Sequence, residues 1–228
     1  MIGVVRCGNT GSVLQALRYH GAEAELFGEA GELTRLGKVS AIVLPGNGNF
    51  GSVMSYLEEN NWIDLITKWI KSDLPFLGIC VGLQVLFDES EEHRASGVNA
   101  PVSSAEGAAS EKNSRGLGIV RGVVRKFMSG KVPLVGWNKT SFSASSKYGS
   151  RNLASSLVPD KGEYFYYLHS YYADCSEHDC IAATASYGKE YCACVERGAL
   201  TAVQFHPEKS GKAGHAFLRR WMEVNRAG

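Results

Sequence analysis

One cysteine lies between two glycines at the end of an apolar run, in the segment LPFLGICVGLQVLF at residues 74–87. Residues 75–79 are typical of a short strand buried on both faces, and residues 81–87 of a helix. A tight strand-to-helix turn between small residues can expose a nucleophile, and the free amides at a helix start favour a thiolate. Cys80 is therefore a candidate nucleophile, and the alternative is a buried thiol that packs as a small hydrophobe.

A cysteine nucleophile needs a base and a group that orients the base. Of the six histidines, His169 and His206 are the two that remain as candidates, and His206 directly follows an apolar run in TAVQFHPEKSG. Pro207 favours extended backbone at His206, which would project His206 and Glu208 to the same side. The pattern predicts a Glu208 carboxylate that reaches the imidazole. The alternative is that Glu208 only begins the last helix, near its positive end.

The elements that must hold these residues alternate in βα style over the first ninety residues. Strands are predicted at residues 2–6, 22–27, 40–45 and 75–79, and helices at 10–20 and 62–71. The second half is rich in β-forming residues and ends in a helix at 210–225. The sequence therefore predicts an α/β fold with a mixed, largely parallel central sheet, helices on both faces and an antiparallel extension. Sites in such sheets form at the carboxyl ends of strands, where Cys80 and the PGNGNF segment lie.

The chain is predicted to be a single domain over residues 1–228. It is 44% hydrophobic and 21% charged, which is enough for one sizeable core. Residues 93–115 are rich in Ser, Ala, Gly and Glu without a sustained period, so we expect a flexible surface loop there, and a similar one at 141–156.

Charge and hydropathy exclude several classes of partner. The net charge is +1 and basic residues are scattered, so no nucleic-acid or membrane surface is indicated. No apolar run reaches the length of a membrane span, and the N-terminus lacks the pattern of a secretory signal. We expect a soluble, cytosolic protein whose partners are small molecules and proteins.

The six cysteines are too few for a disulfide scaffold in a chain of 228 residues, so reduced thiols are expected. A metal site at the cysteine-rich end of the chain is the alternative. Its spacing matches no common zinc pattern, and no metal or cofactor is predicted. The residues that would form it are Cys175, His178, Cys180, Cys192 and Cys194.

Two motifs together carry a family resemblance: GICVGLQ and QFHPEKSG resemble the class I (triad) glutamine amidotransferases. The strings GNTGSV, PGNGNF, GLGIV, VPLVGWN and YYLHSYY also occur in the order and approximate spacing of the glutaminase subunits of imidazole glycerol phosphate synthases. The resemblance covers nearly the whole chain, and residues 93–115 look longer than usual.

The resemblance implies a role for each matching residue. Cys80 would attack the side-chain amide of glutamine, His206 would shuttle the proton, and Glu208 would orient His206. The backbone amides of Asn47 and Val81 would form the oxyanion hole. The residues implied to hold the substrate are Gly48, Gln84, Ser170 and Tyr171. The residues implied to face the partner are Asn9, Trp137, Tyr166, Lys209 and Ser210.

The partner implied by the resemblance is a cyclase subunit of (β/α)8-barrel type, in a heterodimer that passes ammonia into a step of histidine biosynthesis. Two alternatives remain. One is a paralogous glutaminase that serves another synthase, for example in surface-sugar amidination. The other is a catalytically silent binding subunit.

One short segment and two single residues depart from the family pattern. Residues 5–7 replace an aspartate and an aromatic residue, Asn47 replaces an apolar residue, and Leu134 replaces a histidine. The GNTGS string is also compatible with an anion-binding helix start, although the lysine of a P-loop is missing. Because Gly46 and Gly48 flank Asn47, we further expect the peptide between them to turn its N–H toward or away from the oxyanion.

Overall fold

A computed structural model describes residues 1–8, 10–92, 113–143 and 162–227 of the chain. The strands are β1 Ile2–Val5, β2 Ala24–Phe27, β3 Ala41–Leu44, β4 Phe76–Ile79, β5 Glu89–Ser90, β6 Ser114–Arg115, β7 Gly122–Lys126, β8 Leu134–Phe142, β9 Glu163–His169, β10 Tyr171–Cys175, β11 Ile181–Ser186, β12 Glu190–Arg197 and β13 Leu200–Val203. The α-helices are α1 Gly11–Tyr19, α2 Ala30–Leu36, α3 Phe50–Glu59, α4 Trp62–Lys71, α5 Val81–Gln84 and α6 Gly211–Asn225. Two 3₁₀ turns span His178–Cys180 and Pro207–Lys209.

The strands form one mixed sheet whose first part is parallel. The order β2-β1-β3-β4-β13 runs through parallel pairs at every step. Strands β1, β3, β4 and β13 are apolar and buried at all four positions, so both faces of this part are covered. Their carboxyl ends meet at one edge, which places the end of β4 beside the end of β13.

The second part of the sheet is antiparallel. It continues from β13 through β12, β10 and β7, while β11 joins β12 to β8, and β8 pairs with β9. The predicted α/β class and the antiparallel extension are therefore confirmed. No helix in the part of the chain that the structure describes is long and apolar enough to cross a membrane.

Three local predictions need correction. The helix predicted over residues 81–87 ends at Gln84, because the N–H groups of Leu86 and Phe87 donate to carbonyls only three residues back, and the Asp88 N–H donates to the Gly122 carbonyl instead of to Gln84. The loop predicted over 93–115 includes β6, which pairs with β5, and its residues 93–112 lie outside the described residues. The loop predicted over 141–156 begins inside β8, and its residues 144–156 also lie outside the described residues.

Candidate active site

Cys80 occupies a sharp turn between β4 and α5. Its backbone has φ 55° and ψ −107°, a conformation that non-glycine residues rarely adopt. Glycines permit this turn, since a Cβ on Gly78 would lie 2.6 Å from the carbonyl oxygen of Gly82, and a Cβ on Gly82 would lie 2.0 Å from that of Leu44. The expected elbow is present, and the surrounding structure holds the strained cysteine in place.

The Cys80 sulfur lies in a buried, polar environment. It is within 3.8 Å of the Leu168 carbonyl oxygen, and the side-chain amide of Gln204 donates to it at 3.6 Å. Cys80 is 2% exposed and Gln204 is fully buried. The sulfur is therefore desolvated but has a hydrogen-bond donor that would stabilise a thiolate.

His206 and Glu208 form the predicted pair. The Nδ1 of His206 lies 2.9 Å from Oε1 of Glu208, and both side chains are at most 4% exposed. Backbone bonds hold the pair, because His206 N–H donates to the Tyr166 carbonyl and the Ser210 hydroxyl donates to the His206 carbonyl. Nδ1 is thereby fixed on the carboxylate, which leaves Nε2 for chemistry.

The charges around His206 favour its protonated form. Burial lowers the pKa of His206, but the charges of Cys80 and Glu208 outweigh burial and raise this pKa to about 10. His206 Nε2 is buried and has no hydrogen-bond partner among the described residues. Nε2 thus has no acceptor at hydrogen-bond distance, a common state of catalytic groups without substrate.

The predicted oxyanion donors are adjacent but do not converge. Val81 N–H donates to the Gly46 carbonyl at 3.4 Å, so a backbone oxygen occupies the side of Val81 where an oxyanion would bind. In a trans peptide the next N–H points the opposite way, and the N–H of Asn47 is therefore directed away from Val81. Gly46 must be glycine, since its Cβ would lie 2.6 Å from Gly82 N.

A cleft of about 180 Å³ opens in front of Cys80. It brings together the nucleophile, both predicted oxyanion residues and all four predicted substrate residues. His206 and Glu208 do not line this cleft but line a smaller cavity, which shares Asn47 with it. The cleft is lined by Asn47, Gly48, Cys80, Val81, Gln84, Glu92, Pro133, Leu168, His169, Ser170 and Tyr171.

Residues 4–224 match the family described as glutamine amidotransferase class-I. The chain belongs to this family. The imidazole glycerol phosphate synthase subunit HisH of Chlorobaculum tepidum is 37% identical over 219 residues, which are 95% of this chain and 95% of that protein. The subunit HisH of Thermus thermophilus is 39% identical over 186 residues, which are 80% of this chain and 79% of that protein. The Arabidopsis thaliana protein named imidazole glycerol phosphate synthase hisHF, chloroplastic, is 34% identical over 94% of this chain and 32% of its own length.

Solved structures agree with this fold. A crystal structure of a glutamine amidotransferase matches with a TM-score of 0.68 and 17% identity, over 99% of both chains. The structure of PurLQS from Thermotoga maritima matches with a TM-score of 0.68 and 15% identity, over 97% of both chains. At these identities the likeness shows the fold alone. Together with the sequence relatives, the family makes this chain a glutamine amidotransferase of the glutaminase type.

In this class I glutamine amidotransferase, a series of hydrogen-bonded glutamine side chains reaches the nucleophile, and the sequence did not predict it. The Gln84 side-chain amide donates to the Tyr171 carbonyl at 2.8 Å and to Oε1 of Gln204 at 3.1 Å. The Gln204 amide is thereby oriented with its nitrogen toward Cys80. The only hint in the sequence was a glutamine inside the apolar run TAVQF, where a buried polar residue needs a partner.

His169, the other candidate base, lies next to these hydrogen-bonded glutamines. Its Nδ1–H donates to the Tyr171 carbonyl at 2.7 Å, and its Nε2 is buried without a partner among the residues described. Burial lowers the pKa of His169 to about 4; the Tyr171 hydrogen bond opposes this shift and the charge of His206 adds to it. His169 is therefore neutral and serves as a structural hydrogen-bond donor.

Glu92 is a second cleft residue that sequence analysis missed. Its carboxylate accepts a hydrogen bond from Phe50 N–H at 2.7 Å. Burial raises the pKa of Glu92, and hydrogen bonds from Phe50 and Asn49 oppose this shift. The residue lies at the border of the segment expected to be a loop, so composition alone gave no reason to single it out.

The residues predicted to face a partner differ in their exposure. Trp137 is 56% exposed and packs edge-on against the half-buried Tyr166, with Lys209 also half-buried. Ser210 is 1% exposed, and its hydroxyl accepts from Tyr166 N–H and donates to the His206 carbonyl, so it lies inside the site. Asn9 is outside the described residues.

The described residues contain no group of three or more His, Cys, Asp or Glu side chains that could hold a metal ion.

Proposed function

We propose that this chain hydrolyses glutamine to glutamate and ammonia through Cys80, His206 and Glu208, and that it supplies the ammonia to a cyclase partner in histidine biosynthesis. The observation that carries the proposal is the strained Cys80 at the head of the cleft, held beside a charged His206–Glu208 pair. The HisH names of relatives that match nearly the whole chain support the pathway.

The first half-reaction pairs a Cys80 thiolate with the imidazolium of His206. The Cys80 thiolate attacks the amide carbon of glutamine, and the imidazolium of His206 gives its Nε2 proton to the departing nitrogen. Ammonia leaves and a glutamyl thioester remains. Glu208 keeps the imidazole in the correct tautomer and stabilises its positive charge, as in other triads.

The second half-reaction returns the site to its starting state. Neutral His206 takes a proton from water, the resulting hydroxide attacks the thioester carbon, and cleavage of the carbon–sulfur bond releases glutamate. Cys80 is again a thiolate and His206 is again charged. Both tetrahedral intermediates need hydrogen bonds from the Val81 and Asn47 N–H groups. The Gly46–Asn47 peptide must therefore flip, so that the Asn47 N–H points to the oxyanion, before the reaction becomes efficient.

Substrate recognition follows from the acceptors in the cleft. Both hydrogens of the Gln84 amide are already used, so Gln84 offers only its carbonyl oxygen to a ligand. That oxygen and the Glu92 carboxylate suit the α-ammonium group of glutamine. Gly48, Ser170 and Tyr171 complete the wall and are proposed to hold the rest of the amino acid.

A partner surface adjoins the cleft on the β8–β9 pair. Val135 pairs with Leu168 and Trp137 pairs with Tyr166, so these four side chains share one face of the pair. Val135 and Trp137 are each 56% exposed and Leu168 is 36% exposed, an exposed apolar patch that indicates docking. We propose that a cyclase of (β/α)8 type covers this face in a heterodimer, and that residues 1–228 act as one glutaminase domain.

The deciding experiment mixes the full chain with a candidate cyclase subunit and measures product formed from glutamine or from ammonium salt. Cys80→Ala should abolish glutamine-dependent synthesis and leave ammonium-dependent synthesis intact, because only the ammonia source is lost. Cys194→Ala, at a buried cysteine outside the cleft, is the matched control and should retain both activities.

Other results would reassign the function. Loss of both activities in Cys80→Ala would mean that Cys80 serves folding or docking. No glutamine hydrolysis by the wild-type complex would indicate a silent binding subunit. Hydrolysis that responds only to a different synthase would indicate a paralogous glutaminase.

A further inference from the structure

Two buried thiols that do not line the cleft are in contact with each other. The sulfur atoms of Cys175 and Cys180 lie 3.9 Å apart, and both residues are reduced. Cys175 ends β10 and is 7% exposed, whereas Cys180 ends the 3₁₀ turn before β11 and is 1% exposed. Neither thiol has a part in the proposed glutaminase chemistry.

The turn between the two cysteines already holds them in a closed arrangement. Both thiols point to the Glu177 carbonyl, at 3.5 Å from Cys175 and 3.1 Å from Cys180, and Cys180 N–H donates to the same oxygen. A disulfide needs a sulfur separation of about 2.0 Å, so the pair must close by about 2 Å. Side-chain rotation in the short turn can supply this movement.

The surroundings of the two sulfurs make them unequal. Hydrogen bonds from Cys180 and Cys192 lower the pKa of Cys175 to about 4 against the effect of burial, and the charges of His178 and Arg197 act in the same direction. The hydrogen bond to Cys175 and burial raise the pKa of Cys180. Cys175 therefore serves as the thiolate and Cys180 retains its proton, the arrangement of an attacking and a resolving cysteine.

Cys192 and Cys194 lie in β12, and Cys194 is the internal reference because only Cys192 hydrogen-bonds to Cys175. They are 4% and 0% exposed, and their thiols point to backbone carbonyls at 194 and 195. They have the character of small hydrophobes in a sheet core.

We propose that Cys175 and Cys180 are a reversible dithiol–disulfide pair, oxidised by small disulfides of the glutathione type. The Cys175 thiolate attacks one sulfur of the small disulfide and forms a mixed disulfide, releasing one small thiolate. Cys180 then gives up its proton and attacks the Cys175 sulfur, which forms the protein disulfide and releases the second small thiol. Two electrons pass from the protein to the small disulfide, and the proton of Cys180 ends on a released thiol.

The test equilibrates the full chain with mixtures of oxidised and reduced glutathione and maps the cysteines by mass spectrometry. Cys175 and Cys180 share one tryptic peptide, residues 162–189, whereas Cys192 and Cys194 lie in residues 190–197 and Cys80 in residues 72–94. We expect peptide 162–189 to lose two hydrogens and to recover them with dithiothreitol. Cleavage after Glu177 should leave the two halves joined until reduction.

Three variants identify the roles of the cysteines. Cys180→Ser should accumulate one glutathione on Cys175, because the resolving thiol is absent, and Cys175→Ser should leave Cys180 unmodified. Cys194→Ala should behave as wild type. The proposal is overturned if wild-type Cys175 and Cys180 stay reduced at a glutathione ratio that oxidises a reference dithiol protein, or if Cys175 joins Cys192 instead. The cysteine map of the wild-type protein tests the proposal even if a variant fails to fold.

Discussion

The hydrogen bond from Gln204 to Cys80 leads to the sharpest prediction. Gln204→Met keeps the length of the side chain and removes the donor that lies 3.6 Å from the sulfur. A hydrogen bond to a charged group contributes about 1.5–3 kcal/mol, and each 1.36 kcal/mol changes an equilibrium about tenfold. The equilibrium between thiol and thiolate should therefore shift toward the thiol on the order of ten- to a hundredfold.

The assay is the rate of iodoacetamide alkylation of Cys80 in the isolated chain as a function of pH, followed in tryptic peptide 72–94, because alkylation counts thiolate and needs neither substrate nor partner. Gln204→Met should move the profile to higher pH by about one to two units. Gln84→Met, which removes the amide that orients Gln204 but keeps the donor, should move the profile less. Thr201→Val, a near-isosteric change at a buried position of β13 three residues before Gln204, is the control and should leave the profile unchanged.

The reasoning fails if Gln204→Met lowers glutaminase kcat while its alkylation profile coincides with that of wild type. That outcome would give Gln204 a purely structural role in the sheet. A profile that moves equally in Thr201→Val would point to a general loosening of β13.

Further expectations concern the triad, the oxyanion peptide and His169. Glu208→Gln should lower glutaminase kcat on the order of a thousandfold or more but less than Cys80→Ala, and an unchanged rate would remove Glu208 from the mechanism. The isolated chain should bind glutamine and turn it over slowly, and partner plus nucleotide should accelerate hydrolysis about a hundredfold or more in steady-state kinetics; full activity alone would contradict this switch. The pKa of His169 is lowered to about 4 in the folded protein. As the pH falls from 6.5 to 4, His169 is protonated in the unfolded chain but stays neutral in the folded one, so the free energy of unfolding should fall by about 3 kcal/mol. Urea unfolding of His169→Asn should show a smaller loss over that range, and an equal loss would refute the assignment.

Features encoded by neighbouring residues could be predicted from the sequence. The bounds of α4 agree with the prediction, since its apolar spacing and its ends are local signals. The elbow at Cys80 and the His206–Glu208 contact likewise depend on residues at most two positions away. In these cases backbone geometry leaves few other arrangements.

Features that depend on distant segments could not be predicted. The Gln84–Gln204 bond joins residues 120 positions apart, and Glu92 reaches Phe50 across 42 positions. The early end of α5 has the same origin, because the Asp88 N–H that would have continued the helix donates to the Gly122 carbonyl instead. A periodic pattern carries no information about which remote backbone will compete for a hydrogen bond.

The two buried histidines show why a residue type and an apolar context do not determine a role. Burial acts on both in the same direction, by disfavouring the imidazolium. His206 contacts Glu208 and the charge of Cys80, which outweigh burial and hold its pKa near 10, whereas His169 meets a neutral carbonyl and aromatic rings, and its pKa falls to about 4. The same side chain is thus held charged in one position and neutral in the other. The difference arises from the groups around each ring: Cys80 and the Glu208 carboxylate two residues ahead for His206, and a peptide oxygen two residues ahead for His169.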